Sequence, residues 1–574
     1  MATDAFAAPL VIGVTSHRDL VAGETERIRQ RIRFLIEALR GEFPEMPLVV
    51  LSPLAEGGDQ LVAEEALAAG VRLVAALPMT RAEYARDFFD ADARSRFESL
   101  CDAAEVIEVP HLPGSTLGLG EDSPEGHARD VHYAEAGIYV SDHCHLLLAI
   151  WDGKPSGSLG GTAQIVRYHL TGIRPSAGQN PRERRGALGY GSERLAYQIV
   201  SSRDRPDGTP LPTLQPLDTW WRTGNAMSPG DGPMPEAFRA MFDCANAFNL
   251  DSAKYAAEIG AHGGLTTPDD TAPGNGVTID RLFRAADWLA IHFQRRVVLA
   301  MRVLYTLAAL MAIAFTVYDN VPSQDNMLYV FLLLFVIGGY IVTLANRRGW
   351  HRKYLDYRAL AEGLRVQSYW RRAGIPLTDD TEFARDNFLQ KQDVELGWVR
   401  NVMRSAALED GRRERADAAG AVDRVISEWI GDGQRGGQLE YYRRKAGQRA
   451  RTHTFTEAFG LASLYVGIAI SVVLAIFARE LSADTKNVLV MVMAVFSIVA
   501  GVRAAYAYKK ADKELIKQYR YMQRIFDEAR AALDDTADPR ERREILRLLG
   551  DAALAEQVEW ALMHRQRPLE HNRI

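Results

Sequence analysis

The sequence predicts two parts of different structural class. An α/β, Rossmann-like N-terminal domain with a parallel sheet is followed by an all-α membrane region with four transmembrane helices and cytoplasmic helical extensions. Three observations lead to this prediction. Apolar, β-branched runs alternate with helical stretches over residues 1–175, and glycine-rich turns follow several of these runs. Four apolar runs of membrane-spanning length lie in the second half of the chain.

The alternation of apolar runs and helical stretches over residues 1–175 predicts a parallel sheet. Helical stretches at 24–40 and 59–69 separate some of the apolar runs, as crossover helices do in a parallel sheet that is covered on both faces. Ligands of such folds bind beyond the C-terminal ends of the strands, so we expect the functional site at that edge. The predicted strands are 10–14, 47–51, 71–77, 104–109 and 145–151.

Small and polar residues are concentrated directly after the predicted strands. Glycine lets backbone amides approach an anion, and a helix N-terminus at the same point adds a partial positive charge. GGTAQIV (160–166) is therefore suited to hold a phosphate, and EGGDQLV (56–62) offers a second turn of this kind. The candidate ligand-binding residues are Gly13, Thr15, Ser16, His17, Arg18, Glu56, Gly57, Gly58, Asp59, Gln60, Asp152, Gly153, Lys154, Gly160, Gly161 and Thr162, with cationic contacts from His17, Arg18 and Lys154 and a hydroxyl donor in Thr162.

Several of these residues have a structural alternative, and the sequence leaves both interpretations open. Gly160 and Gly161 either approach a phosphate or make a tight strand-to-helix turn. Asp59 either binds ribose hydroxyls or caps its helix. His17 and Asp152 are either ligand contacts or ordinary loop residues.

Four apolar runs predict the transmembrane helices. Each is close to the ~20 residues that a helix needs to cross ~30 Å of hydrocarbon. The alternative is a set of buried helices in a large soluble core. The predicted spans are 297–318, 327–345, 459–477 and 487–508.

Basic residues indicate the orientation of the two predicted hairpins. FQRRVV precedes the first span, NRRGWHRK follows the second, and RRKAGQRAR and KKADK flank the other hairpin in the same way. By the positive-inside rule, both hairpins begin and end in the cytoplasm, and both chain termini are cytoplasmic. Arg302 and Arg503 lie inside apolar runs, where snorkelling to the interface accounts for them and a role in a pore or interface is the alternative.

The hairpins form an architectural repeat, because each is followed by a long amphipathic helix, at 353–374 and 511–533. The segment after the sheet contains one convincing strand, RLAYQIVS (194–201), among Pro- and Gly-rich sequence. The predicted order is a Rossmann-like domain at 1–175, its extension, partly loop, at 176–278, the first hairpin with its helical extension at 279–376, a cytoplasmic helical linker at 377–450, the second hairpin with its extension at 451–535 and a helical tail at 536–574.

Composition excludes several classes of function. The 574 residues carry a formal net charge of −6, which gives no electrostatic basis for nucleic-acid binding. The three cysteines have neither metal-ligand spacing nor a disulfide pattern, so we expect no metal and a reducing compartment. The N-terminal MATDAFAAPLVIGVTS has no basic region or long apolar region, so no signal peptide is predicted.

Four motifs carry a resemblance to a known family. IGVTSHRDL (12–20), LSPLAEGGDQLVAEEAL (51–67), LPMTRAEYARDF (77–88) and LLLAIWDGKPSGSLGGTA (146–163) together resemble the SLOG superfamily, the Rossmann-like group that includes the DprA and LOG proteins. The membrane half resembles, by its layout, the SLATT two-helix effectors of bacterial conflict systems, present here twice. The resemblance implies a sensor of a nucleotide-derived ligand, ADP-ribose-like or a cyclic nucleotide, coupled to a membrane effector in the bacterial inner membrane.

The enzymes of this superfamily suggest a second hypothesis. LOG phosphoribohydrolases have a loop that resembles PGGxGTxxE, but this chain lacks its first glycine pair and has Gln164 near the expected acidic residue. An amide cannot act as a general base, so hydrolysis would rely on Glu56, Asp59 or Glu135.

Three functions therefore stand as hypotheses. The first is a ligand-gated channel or membrane-disrupting effector of antiviral defence that binds a nucleotide and the lipid bilayer. Because the spans of one chain are too few to surround a pore, we expect a homo-oligomer, with a tetramer as the working number. The second is a membrane-anchored nucleotide or NAD-derivative hydrolase. The third is a constitutive small-ion transporter, for which mid-membrane polar residues are expected beyond Gly338 and Gly339.

Overall fold

The computed structural model divides the chain into two compact units. Unit 1 comprises Met1–Ala285 and Arg385–Ala416, and unit 2 comprises Ala286–Ala384 and Asp417–Ile574. The structure describes residues 6–109, 125–156, 158–173, 175, 194–265, 277–321, 324–375, 396–408, 420–431 and 436–565.

Unit 1 alternates strands and helices over most of its length. In chain order its elements up to residue 265 are β1 Leu10–Ser16, α1 Thr25–Glu42, β2 Leu48–Ser52, α2 Gly58–Ala68, β3 Arg72–Leu77, α3 Arg81–Tyr84, α4 Ala91–Ala103, β4 Glu105–Glu108, α5 Glu125–His143, β5 Leu146–Ile150, α6 Thr162–Thr171, β6 Leu195–Ile199, β7 Thr219–Arg222, β8 Met227–Pro229, α7 Glu236–Lys254 and α8 Ala256–Gly260.

One mixed sheet organises the described part of unit 1. Its eight strands have the order β4-β3-β2-β1-β5-β6-β7-β8. The first six in this order pair in parallel, and β7 and β8 pair antiparallel at one edge. The predicted Rossmann-like α/β fold is therefore confirmed. The antiparallel edge was not predicted, because β7 and β8 are only four and three residues long and lie in Pro- and Gly-rich sequence.

The central strands are buried along their length. All five residues of β2, β5 and β6 are buried, as expected where helices cover both faces of a parallel sheet. Gly13 in β1 belongs to this packing, since a Cβ there would lie 2.7 Å from the Cys144 Cβ and 2.9 Å from a Val140 methyl carbon. This glycine lets α5 approach β1. This packing accounts for a glycine at position 13, and the ligand contact predicted for Gly13 stays a prediction.

A buried ion pair stabilises the connection between α5, α6 and β6. The guanidinium of Arg194 donates to the Ser141 carbonyl at 2.6 Å and lies 3.5 Å from the Asp142 carboxylate. The Tyr168 hydroxyl of α6 donates to the same carboxylate at 2.8 Å. These contacts satisfy charges that would otherwise be costly to bury.

The remainder of the chain is helical in the described residues. Its helices are α9 Val277–Asn320, α10 Asn326–Arg347, α11 Trp350–Arg372, α12 Gly397–Ala407, α13 Ala421–Val425 with the π-helical turn Ile426–Ile430, α14 Gly437–Ile476, α15 Ala483–Lys509, α16 Asp512–Asp535 and α17 Pro539–Arg565.

Four helices of the described chain, α9, α10, α14 and α15, are long and apolar enough to cross a membrane. At most 22% of the most apolar window of any of them is buried inside the protein, and two windows have no buried residue. A soluble core would bury these windows, so their exposure favours membrane spans over the buried-helix alternative. The predicted spans 297–318 and 459–477 form the C-terminal halves of the longer helices α9 and α14.

The predicted amphipathic helices are α11 and α16, and they belong to a helical bundle of unit 2. Tyr369 of α11 stacks on Trp429 with ring centroids 4.9 Å apart. The Trp370 indole donates to the Leu546 carbonyl of α17 at 3.2 Å, and Gly550 leaves room for that indole.

The segment between the two membrane hairpins returns to unit 1. Helix α12 is buried along its whole length, and Trp398 packs 5.7 Å from the ring of Phe248 in α7. The ring of His145 lies 2.8 Å from the Asn401 carbonyl through Nε2. The sequence grouped these residues with the helical linker 377–450, whereas α12 completes the core of unit 1.

The close packing at Gly13 predicts that adding one methyl group there lowers the stability of unit 1. Gly13→Ala is expected to lower the free energy of unfolding of unit 1 by about 1–3 kcal/mol, because the new Cβ overpacks the contact with α5. The measurement is the thermal unfolding midpoint of the purified full-length protein in detergent. The matched control is Gly41→Ala in α1, where a Cβ meets nothing within 4 Å. It should stabilise by up to about 1 kcal/mol. Equal midpoints for both variants would contradict the packing role.

Candidate functional site

The candidate site lies where the chain order reverses within the sheet. Strand β1 has β2 on one side and β5 on the other, so the chain builds the sheet outward in both directions from this pair. Open α/β sheets bind ligands at such a switch point, beyond the carboxyl ends of the strands. The loops that follow β1, β2 and β5 carry nearly all the predicted residues and meet at this edge.

Ser16, the last residue of β1, joins the starts of two helices. Its hydroxyl donates to Asp59 Oδ1 of α2 at 2.5 Å. Its carbonyl oxygen accepts a hydrogen bond from the Thr162 hydroxyl of α6 at 2.7 Å. The N-termini of α2 and α6 are therefore held at the end of the same central strand.

Both helix N-termini are capped by glycine. Gly57 precedes α2 and Gly161 precedes α6, and neither helix start has a side-chain cap hydrogen bond. First-turn N–H groups of a helix have no intrahelical partner, and the helix dipole favours an anion near them. In α2 the Gly58 N–H already donates to the His17 carbonyl at 3.2 Å, so the other first-turn N–H groups are the ones that can hold an anionic group.

Three of the predicted glycines are required by close packing. Gly57 has φ +89°, and a Cβ there would lie 2.3 Å from the Arg18 carbonyl oxygen. A Cβ on Gly58 would lie 2.6 Å from the Ser16 Cβ, and one on Gly160, at φ +73°, would lie 2.7 Å from the Ala134 nitrogen. For these residues the tight-turn interpretation is sufficient.

Gly161 differs from its neighbours. Its φ of −70° is accessible to any residue, and the nearest atom that a Cβ there would meet is the Ser158 carbonyl oxygen, at 3.2 Å. Backbone geometry alone therefore does not demand glycine at this cap. Gly153, at φ +83°, turns the β5–α6 loop against Leu214.

His17 and Asp152 face each other across the switch point. His17 Nε2 lies 3.2 Å from Asp152 Oδ1, and the two residues are 8% and 1% exposed. Burial raises the pKa of Asp152, but hydrogen bonds from His17 and the Lys154 backbone N–H, with the charges of His17 and Arg203, bring it below its ordinary value. The pair joins the loops after β1 and β5.

Other predicted side chains bond within the protein. The Lys154 ammonium donates to the Asp207 carbonyl at 2.9 Å, and the Gln60 amide lies 3.4 Å from the Ala93 carbonyl. Thr15 is buried in β1, opposite Ala149 of β5. These residues organise the site rather than present free polar groups to it.

Arg18 and Glu56 are the more accessible members of the predicted set. Arg18 is exposed and its guanidinium lies 5.1 Å from the ring centroid of Tyr133, whereas Glu56 is half-buried in the loop after β2. The Tyr133 hydroxyl in turn donates to the Asp87 carboxylate. Sequence reasoning missed Tyr133 and Asp87, because their positions in α5 and near α3 give no local signal of proximity to the strand ends.

The loop before α2 also contains a residue in an unusual backbone conformation. Leu54 has φ +56°, and its N–H donates to the Ser52 hydroxyl at 3.1 Å. A non-glycine residue in the left-handed region is uncommon and concentrates at functional loops. Pro53 precedes this position in the sequence, but nothing in the sequence analysis singled out Leu54.

Burial strongly perturbs Asp59. The residue is 2% exposed, and burial raises its pKa to about 7 in spite of hydrogen bonds from Ser16 and the Ala55 backbone and the charge of Arg18. A neutral carboxyl is therefore accessible at physiological pH. It would repel a neighbouring anion less than an ionised one does.

The two intramembrane arginines differ in their surroundings. Arg503 Nε donates to the Thr456 hydroxyl at 3.3 Å, and its guanidinium lies 4.6 Å from the Phe455 ring centroid. Arg302 is exposed on α9. Both remain candidates for an interface or ion path as well as for snorkelling.

No family model matches the chain, and a comparison with the curated proteins finds no match. Within the described ranges, no group of three or more His, Cys, Asp or Glu side chains could hold a metal ion.

The raised pKa of Asp59 predicts a pH-dependent stability. Because the folded-state pKa of about 7 lies above the ordinary 3.8, the folded protein binds more protons than the unfolded chain between these values. Stability should fall as pH rises through this window, by up to about 1.4 kcal/mol per pH unit, and level off above pH 7.

Asp59→Asn tests this dependence, since an amide does not titrate. The unfolding midpoint of the full-length variant, measured against wild type from pH 5 to pH 8, should rise relative to wild type as the pH increases. Asp207→Asn, a change at an exposed carboxylate, is the control and should follow wild type. Parallel curves for wild type and Asp59→Asn would show that Asp59 is ionised throughout.

Proposed function

We propose that this chain is a membrane effector that is switched by a nucleotide-derived ligand. The ligand, ADP-ribose-like or a cyclic nucleotide, binds unit 1 at the carboxyl edge of β1 and β5, and binding opens a pore or disrupts the bilayer. The observation that carries this proposal is the meeting of two glycine-capped helix N-termini at Ser16, on the switch point of the sheet.

The chemistry of this edge suits a phosphate ester. Main-chain N–H groups and two helix dipoles favour an anion without a dedicated cationic side chain. Arg18 is the accessible cation of the predicted set, and the raised pKa of Asp59 limits repulsion from the carboxyl group in the first turn of α2. The SLOG-like motifs, which lie in these same loops, support a nucleotide over a simple anion.

Two covalent connections support coupling between this site and the first hairpin. Helix α9 begins among residues of unit 1 and continues through the first span without interruption. After the second span and α11, the chain returns to unit 1 and places α12 in its core. A ligand that binds one conformation of unit 1 more tightly than another would shift the ratio of the two populations, and with it the state of the membrane region. Each difference of about 1.4 kcal/mol in binding free energy changes this ratio tenfold.

The membrane assignment extends this proposal. The basic flanks favour an orientation in the bacterial inner membrane in which both termini are cytoplasmic. The largely exposed apolar windows of the four spans leave surface for other copies as well as lipid, and we propose a homo-oligomer, with a tetramer as the first arrangement to test. The SLATT-like layout supports a role in antiviral defence.

Ligand-dependent ion flux is the decisive experiment. Liposomes that contain the purified protein are exposed to ADP-ribose derivatives and cyclic nucleotides, with wild type, Gly161→Asp and Gly161→Asn compared. Both substitutions fit the backbone and can cap α6, but only aspartate adds a negative charge where the anion would bind. We expect one nucleotide to trigger flux, with the required concentration raised at least about tenfold in the aspartate variant and little changed in the asparagine variant.

Other outcomes contradict the proposal in different ways. Consumption of a nucleotide without flux would indicate a tethered hydrolase of the LOG type. Flux that is independent of every nucleotide would indicate a constitutive small-ion transporter. Equal responses of the aspartate and asparagine variants would show that the ligand's anionic group does not bind at the N-terminus of α6.

A further inference from the structure

A cavity on unit 1 lies beside the strand-end site, between α6 and the β7–β8 hairpin. Its volume is about 540 Å³, and its walls come from the β5–α6 loop, α6, β7 and the turn that follows β7. Of the candidate residues predicted from sequence, it includes only Gly153. The side chains that define its chemistry are Trp151, Val166, Arg167, Leu170, Arg222 and Met227.

The cavity is positively charged and has no acidic lining residue. Arg167 approaches from α6 and Arg222 from β7, and no aspartate or glutamate of the described chain lines the space between them. Within the described chain, neither guanidinium forms an ion pair with a carboxylate. This contrasts with the net charge of −6 of the whole chain, in which most buried or half-buried arginines of unit 1 have acidic partners.

Arg222 is held in place without a counter-charge. Its guanidinium lies 5.2 Å from the ring centroid of Trp151, and Nη2 donates to the Met227 sulfur at 3.3 Å. Its Nε is inaccessible to solvent and has no hydrogen-bond partner in the described structure. Burial lowers the pKa of this guanidinium, with no neighbouring negative charge to oppose the shift. Arg222 is half-buried, and a partly desolvated cation of this kind is stabilised when an anion pairs with it.

Two features of the cavity specify the chemistry of that anion. Arginines on separate walls suit a phosphate group, whose oxygens point in several directions and accept forked N–H donors. The volume far exceeds the space of a single ion and falls in the range of pockets for organic ligands. The Trp151 ring and the aliphatic side chains of Val166 and Leu170 provide apolar surface for the remainder of such a ligand.

We propose that this cavity is a second ligand site, which binds an organic phosphate with a planar or apolar body. The phosphate pairs with Arg167 and Arg222, and the body packs against Trp151. This site is built from side-chain cations, whereas the strand-end site is built from main-chain groups, so either can exist without the other.

The probe is phenyl phosphate. Its binding to the full-length protein, in detergent and phosphate-free buffer, is measured by isothermal titration calorimetry. Phenyl phosphate should bind at least about tenfold more tightly than either phenol or inorganic phosphate, since each lacks half of the recognised features. Arg167→Gln and Arg222→Gln should each weaken binding about tenfold or more, as expected for loss of a charge-assisted hydrogen bond.

Two further variants make the result decisive. Arg27→Gln, at an exposed arginine of α1, is the charge-matched control and should bind like wild type. Arg167 is itself exposed, so Arg167→Gln remains folded even if Arg222→Gln does not. Gly161→Asp should retain phenyl phosphate binding, and this separates the cavity from the strand-end site.

The proposal fails in any of three cases. In the first case, wild type gives no heat with phenyl phosphate at millimolar concentration. In the second case, Arg167→Gln binds phenyl phosphate as tightly as wild type does. Inorganic phosphate that binds as tightly as phenyl phosphate would reduce the cavity to a simple anion site and overturn the assigned ligand class.

Discussion

The geometry of unit 1 at its functional edge depends on the two hydrogen bonds of Ser16. The Ser16 hydroxyl, at the end of the central strand, donates to Asp59 in the first turn of α2. The Ser16 carbonyl accepts a hydrogen bond from Thr162 in the first turn of α6. A buried polar group left without such a partner costs about 1–3 kcal/mol of free energy, so separating either helix start from β1 would be destabilising. Gly58 follows from this constraint, because a Cβ there would lie 2.6 Å from the Ser16 Cβ.

The sheet could be predicted from sequence because its strands are buried on both faces and therefore appear as continuous apolar runs. Each of the five predicted strands lies within two residues of an observed one at either end. The edge strands β7 and β8 were missed, since three or four residues give too short a pattern. Helix α12 lies in a segment that was predicted to be helical, but its place in unit 1 was not predicted, because its partners α5 and α7 lie more than a hundred residues away in sequence.

The meeting of the glycine-rich loops at one edge of the sheet could be predicted from sequence, but their contacts could not. Glycine-rich turns after strands identify the edge at which loops meet, and parallel strands ensure that they meet there. The same pattern cannot distinguish a glycine that contacts a ligand from one that makes room for a neighbouring residue. Gly57 and Gly160 make room for backbone atoms, and Gly58 makes room for the Ser16 side chain. The partners of Lys154 and the charge state of Asp59 depend on burial and on distant residues, which local sequence does not encode.

The return of α12 to unit 1 sets an order of events during biosynthesis. Domains at the N-terminus generally fold first as the chain leaves the ribosome. Here the buried surface that receives Trp398 and Val402 stays open until residue 408 has been made, after both helices of the first hairpin have been translated. Unit 1 therefore acquires its finished core only once that hairpin is available for insertion, which delays its maturation until the membrane helices can enter the bilayer.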